Sequence, residues 1–246
     1  GYGSWPYILS IELTDDNIIE YGSDSINVEF GNTDDSASIN IINDSPASYA
    51  ELHLTITDPA LNIDPTGADL WLFDLGASAA TPLVEFATNG TTNDPLTAAE
   101  LAEIGFEDNG RLYSDNQAVL TAGESHVVMT ESSENSALFE SFDLNGESEI
   151  ELIAEAGGDK KIVFTYGDDS TDMIVTYYDA TIDFADDGGD WMPTEVATFT
   201  ITDPDANKNP LSQDELLIED ETAKIPTIIM GTGGLTLAEG SNCYLD

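Results

Sequence analysis

Basic side chains are almost missing from this chain. Five Lys and Arg stand against 49 Asp and Glu, a formal net charge of −44 over 246 residues. Nucleic acids and anionic lipid surfaces are held by Lys and Arg that neutralise phosphate. Arg111, Lys160, Lys161, Lys208 and Lys224 are too few for either task, so nucleic acid is excluded as a partner. Cysteine is nearly absent too. Cys243 stands alone, and no disulfide can form within the chain. No apolar run reaches the roughly 18 residues that cross a bilayer, and no leader pattern is seen. Direct membrane insertion by this chain is not expected, and any anchor or secretion signal is expected outside it. Catalytic signatures are missing as well: there is no H-E-x-x-H, G-x-S-x-G, P-loop or C-x-x-C, and only two histidines, His53 and His126. A carboxylate-pair hydrolase is the one catalytic device the composition leaves open, because its pairing is spatial. Trp5, Trp71 and Trp191 offer sugar-stacking surfaces, although sandwich cores use Trp routinely. The reading is of a protein that is not an enzyme.

What is present is charge laid over an apolar framework. Hydrophobic residues make up 41% of the chain and are interleaved with the acids, which argues against a disordered acidic tail. Such a surface attracts cations. Along Tyr49–Thr57, Ala50, Leu52, Leu54 and Ile56 alternate with Glu51, His53, Thr55 and Thr57, the period of a half-buried strand. His53 then falls on the outer face and is expected exposed. Similar runs at 8–13, 26–30, 70–73, 83–86, 127–130, 138–144, 149–153, 162–166, 174–178 and 199–202 are punctuated by Asn145-Gly146, Gly157-Gly158-Asp159, Gly167-Asp168-Asp169 and Gly188-Gly189-Asp190. The pattern predicts an all-β chain of antiparallel β-sandwiches. One short helix near 97–105 is predicted from the Thr97-to-Glu100 capping box and Gly105. Ser212 to Glu215 is a second possible opening of a helical turn.

The chain repeats itself at an offset of 145. Tyr21-Gly22 falls on Tyr166-Gly167, Asp24 on Asp169, and Thr55-Ile-Thr-Asp-Pro59 on Thr200-Ile-Thr-Asp-Pro204; Asn62, Pro65 and Leu72 fall on Asn207, Pro210 and Leu217. Leu52, Leu54 and Ile56 match Ala197, Phe199 and Ile201, in one register without a gap from Tyr21 to Leu72. The division expected is 1–36 as the terminal strands of one unit, 37–181 as a complete sandwich, and 182–246 as the opening strands of a further unit. Either the parent chain is longer, or the two partial units complete each other, within one chain or head to tail between chains by strand complementation.

The segment 173–210, MIVTYYDATIDFADDGGDWMPTEVATFTITDPDANKNP, resembles the boundary between units in the S-layer proteins of ammonia-oxidising archaea. There a strand of the type V-T-Y-x-D-A closes one immunoglobulin-like domain and a strand ending T-x-T-D-P-D-A-N opens the next; here these are Val175–Ala180 and Thr198–Asn207. Leu138–Phe142 also looks like a family strand. The first repeat departs from the pattern, with Ala60 where the second has Asp205 and no Tyr-Tyr-Asp near Ile26–Phe30. The likeness is good over about 138–218, fair over 49–75 and weak elsewhere. It implies tandem immunoglobulin-like domains, an extracellular glycoprotein at the cell surface, self-assembly into a porous lattice, and cation binding.

The residues themselves offer one constellation for a hard cation. In Asp203-Pro-Asp205-Ala-Asn207-Lys-Asn209, oxygen side chains alternate at i, i+2, i+4 and i+6, and calcium takes six to eight oxygens. Asp58, Asn62 and Asp64 are the equivalents in the first repeat. Asp186, Asp187 and Asp190 form a further acidic turn between units, and Asp168, Asp169 and Asp172 a weaker one. A Pro/Asn turn that caps its own backbone explains the same alternation, and no EF-hand Gly or closing Glu is present. The sequons Asn43-Asp-Ser45 and Asn89-Gly-Thr91 are candidate glycosylation sites in a secreted protein. The expected function is a structural S-layer lattice that concentrates cations such as ammonium; alternatives are a filament, pilus or adhesin subunit built by strand complementation, and a secreted carbohydrate-binding module or hydrolase.

Overall fold

Apolar residues at alternate positions give each strand one face that must leave water, and the strand pairs among the described residues are antiparallel. The computed structural model describes residues 17–28, 34–75, 84–88, 91–92, 110, 112–115, 120, 126–153, 159–185, 198–214, 229–230 and 235–236. In chain order the strands are β1 (Asn17–Tyr21), β2 (Asp24–Val28), β3 (Ser38–Ile41), β4 (Leu54–Thr57), β5 (Leu70–Asp74), β6 (Val84–Thr88), β7 (Thr91–Thr92), β8 (Leu112–Ser114), β9 (His126–Glu131), β10 (Leu138–Glu140), β11 (Lys161–Tyr166), β12 (Asp169–Ile174), β13 (Thr181–Ala185), β14 (Thr198–Thr202), β15 (Ile229–Met230) and β16 (Leu235–Thr236). The all-β expectation is met. The helix expected near 97–105 lies outside the described residues.

A seven-stranded sheet of order β3-β4-β10-β9-β5-β6-β7 packs against a three-stranded sheet of order β12-β11-β8. Ile39, Leu54, Ile56, Trp71, Phe73, Val127, Met129 and Phe139 of the first sheet meet Leu112, Ile162, Phe164, Tyr166 and Met173 of the second in one buried core. Each large side chain so buried contributes about 1.5–3 kcal/mol relative to exposure. The Phe73 and Tyr166 rings meet edge to face at 6.0 Å. Trp71 lies in the core with its indole N–H donating to the Leu61 carbonyl at 2.8 Å, which removes it as a sugar-stacking platform.

Three expectations are corrected here. The run 49–57 forms a strand only over Leu54–Thr57, although Ala50, Leu52, Leu54 and Ile56 are all buried as expected. Tyr49 adopts φ of 62°, and Glu51 makes only an isolated bridge, to Glu151. The closing strand is Asp169–Ile174, while 175–180 is not a strand. The Tyr166-to-Asp169 hairpin, with Gly167 at φ of 56°, sets β12 earlier than the apolar run indicates. Val175 and Thr176 donate instead to the carbonyls of Lys160 and Pro46. His53, expected exposed, is fully buried.

Two further hairpins repeat pieces of this unit. The β1–β2 hairpin pairs Tyr21 with Asp24 and Asn17 with Val28; the β11–β12 hairpin pairs Tyr166 with Asp169 and Ile162 with Met173, the same register 145 residues later. The β13–β14 pair answers to β3–β4, but not at 145 throughout. Ile56 faces Ile39, and its counterpart Ile201 faces Ile182, which is 143 beyond Ile39. The ungapped register read from the sequence is therefore broken at β13. A slip of two keeps the same side chains facing inward, whereas a slip of one would invert them.

Candidate functional site

The loop that follows β4 and the loop that follows β14 fold alike. Asp58 caps a 3-10 turn over Pro59–Leu61, its side chain accepting from the Ala60 N–H. Asp203 caps Pro204–Ala206 and accepts from Asp205 N–H. Asn62 N–H and Asn207 N–H then donate to the carbonyls of Pro59 and Pro204. One carboxylate closes each loop. Asp69 Oδ2 accepts from the N–H groups of Ile63 (2.6 Å) and Asp64 (2.9 Å), and Asp214 Oδ2 accepts from those of Lys208 (2.9 Å) and Asn209 (3.3 Å). Asp64 Oδ1 accepts from Thr66 N–H, and Asn209 Oδ1 accepts from Leu211 N–H. Asp69 and Asp214 were missed as site residues, although they coincide at the 145 offset.

This geometry gives a reason for the alternating oxygens. A short side-chain oxygen reaches the backbone N–H two residues on, so consecutive Asx turns recur every second residue. Asp205 spends both carboxylate oxygens on Tyr178 N–H, at 3.0 and 3.1 Å. With its amide turned to satisfy its neighbours, Asn207 donates to Asp214 Oδ2 and to the Asn209 carbonyl. Asn62 donates to Asn135 Oδ1, and its own Oδ1 is buried without a partner. Asp58 Oδ1, Asp64 Oδ1, Asp203 Oδ1, Asp205 and Asn209 Oδ1 thus each serve donors of their own. Among the described residues, no three His, Cys, Asp or Glu side chains are placed to hold a metal ion between them. Asp186, Asp187 and Asp190 lie outside the described residues.

Carboxylate environments follow the same logic. The hydroxyl and backbone N–H of Thr66 hold Asp64 below the ordinary carboxylate value. Burial pushes Asp69 up against the two N–H groups it accepts, and the nearby charges of Glu131 and Asp64 add to that push. Glu131 is itself buried and accepts from Asp69, Ser136 and Ala137 N–H groups.

The second loop does something the first is not seen to do: it locks onto the preceding unit. Glu51 N–H donates to the Lys208 carbonyl at 2.8 Å, and Lys208 Nζ donates to the Ser48 carbonyl at 2.6 Å. Buried Asn209 donates through Nδ2 to the Gly146 carbonyl (2.7 Å) and to Glu51 Oε2 (3.0 Å). His53 Nε2 lies 2.8 Å from that same Gly146 carbonyl and stacks obliquely on Phe142, which explains its burial. Gly146 has φ of +80°, and a Cβ there would meet Leu211 Cβ at 2.7 Å. Glu51, His53, Gly146 and Lys208 were not read as site residues. The one signal for them was Asn145-Gly146 as a turn. A groove of about 420 Å³ beside this joint carries Glu51, Glu140, Asp143, Glu147 and Glu149.

Of the sequons, Asn43 is half-buried and accepts from Ser45 N–H at 3.1 Å, while Asn89 lies outside the described residues. No helix among the described residues is long and apolar enough to cross a membrane. No family model matches the chain, and no curated protein matches it.

Proposed function

We propose that this chain is a structural, non-catalytic building block of a cell surface, an extracellular S-layer subunit of the kind its 173–210 segment resembles. It self-assembles into a porous, negatively charged lattice. The observation that carries the reading is the joint at Lys208 and Asn209. A loop that is the second copy of an internal motif is hydrogen-bonded, partly through buried groups, to the unit before it. A stiff joint between units is what a mechanical scaffold needs, whereas a binding module or hydrolase needs an open site.

The charge supplies the second half of the reading. With a net charge of −44, pores lined by this surface hold a negative potential that gathers cations, ammonium among them, and excludes anions. Its reach is about 8 Å at 0.15 M salt. Divalent cations such as calcium enter as bridges between acidic surfaces. The test is electron microscopy of the purified chain with calcium, followed by ammonium and nitrite partition into the assemblies. Ordered sheets enriched in ammonium are expected. Dispersed single particles under every salt condition would overturn the scaffold reading, and equal partition would remove the charge-filter role. The filament or adhesin reading draws on the exposed apolar faces of β1–β2 and β13–β14, and predicts fibres in place of sheets.

A further inference from the structure

Two exposed faces of this chain are the separated halves of a core that the chain elsewhere shows assembled. In the assembled unit, β3–β4 packs on β11–β12. The Tyr166 hydroxyl donates to Asp58 Oδ2 at 2.6 Å, and Ile39 N–H donates to Asp169 Oδ2 at 3.0 Å. Ile39, Leu54, Ile56, Phe164 and Tyr166 are all buried there. The counterparts of these residues stand in water. Tyr21, the counterpart of Tyr166, is 91% exposed, and Ile19, the counterpart of Phe164, is 61% exposed. On β13–β14, Ile182 is 60% and Phe199 59% exposed, where Ile39 and Leu54 are buried. Phe184 and Phe199 stack on each other at 5.1 Å on the same open face.

The polar partners match as well. Asp203 repeats the capping bond of Asp58 with one carboxylate oxygen. Among the described residues its Oδ2 has no hydrogen-bond partner, and neither has the Tyr21 hydroxyl. Asp24 occupies the place of Asp169, and Ile182 N–H that of Ile39 N–H. Exposed apolar hairpins of this kind are costly in water and are edges for pairing.

We infer that β1–β2 of one copy docks on β13–β14 of a second copy, rebuilding head to tail the core that β11–β12 and β3–β4 form within the chain. The inference deepens the proposed self-assembly and rests on it, naming the partner surface as a second copy of this chain. A second copy is favoured over closure within one chain by the path of the complete unit. The chain enters at Ser38, beside Asp169 at the start of β12, and leaves at Val175, just past its end. Six residue steps from Asp169 to Val175 separate these points by roughly 20 Å. The two half-faces are thus attached at opposite ends of the unit. In the joined pair, Tyr21 donates to Asp203 Oδ2, Ile182 N–H donates to Asp24, and Ile19 and Tyr21 cover Phe199 and Ile201.

The test uses Ile19→Asp and Ile201→Asp, both at exposed positions and so compatible with a folded core, which circular dichroism checks. Sedimentation of the unmodified chain is expected to show concentration-dependent growth beyond a dimer. Each variant alone is expected to stay monomeric. An equimolar mixture is expected to form a 1:1 dimer and stop, because one intact tail face meets one intact hairpin face and no free pair is left. A mixture that stays monomeric overturns the inference, as completion by some other segment would produce. Assembly that survives both substitutions also overturns it, while leaving the scaffold reading standing. An unmodified chain that never assembles removes both.

Discussion

The Tyr166 hydroxyl donates to Asp58 Oδ2 at 2.6 Å across 108 positions of sequence, and joins the two sheets at the centre of the core. Asp58 spends its other oxygen on the Ala60 N–H, so one buried carboxylate both starts the 3-10 turn and receives the opposite sheet. Tyr166→Phe removes the donor and leaves that carboxylate oxygen buried without it. The expected loss is about 1–3 kcal/mol. Asp58→Ala removes the cap as well, which adds about 1 kcal/mol. Urea denaturation of the two single variants and the double variant measures both. A double variant no worse than Asp58→Ala alone shows the pair acting as a unit, and additive losses would contradict the bond.

The same pair predicts an alkaline limit. Burial holds the Tyr166 phenol well above its ordinary value of 10.0, and the Asp58 carboxylate beside it adds to the effect. Unfolded, the phenol ionises near 10.0; folded, it keeps its proton. The native state therefore binds more protons above that pH, and stability falls as pH rises through it. Below pH 10 the contribution is complete. The slope approaches about 1.4 kcal/mol per pH unit for this one group. Denaturation between pH 9 and 11 is expected to show the wild type losing stability faster than Tyr166→Phe. Parallel profiles would count against a protonated buried phenol.

Much of this was legible in the sequence, and what was not has a physical cause. Ala50, Leu52, Leu54 and Ile56 reveal their face by alternation, since only that face is apolar. His53 does not, because what buries it is Gly146, 93 positions away, and alternation carries no information on distant partners. The capping loops were visible as Asp-Pro with alternating oxygens, but the same oxygens serve a cation or a backbone turn, and only the directions of the N–H groups separate the two. The slip at β13 was hidden because Ile182 and Ile201 pair as Ile39 and Ile56 do while the residues between carry no matching identities.

The joint should fail locally before the core does. Gly146→Ala puts a methyl carbon within 2.7 Å of Leu211 Cβ at a φ of +80°, so the backbone or Leu211 must move. Asn209→Ala removes the donors to Gly146 and Glu51 without adding bulk. Both are expected to raise amide exchange at Glu51, whose N–H bonds the Lys208 carbonyl, by about 10-fold for each 1.4 kcal/mol lost. Exchange at Leu54 and Phe164 in the core strands is expected to hold. Equal loosening at both places would mean that the joint is not a separate cooperative unit.

Crowded carboxylates repel one another, and 49 acids against five bases leave little internal relief. Lys161 and Asp172 form an exposed pair at 3.3 Å, worth at most about 1 kcal/mol. Monovalent salt is therefore expected to raise the melting temperature by screening. Calcium adds something distinct if pairs of carboxylates share it: a ligand bound only by the folded form stabilises in proportion to its occupancy. Protein stripped with EDTA is expected to melt lower, and calcium to restore it beyond sodium chloride matched in ionic strength. The two effects separate cleanly, because screening depends on ionic strength alone. Identical melting under matched conditions would remove the metal from the lattice reading and leave the charge to act by screening.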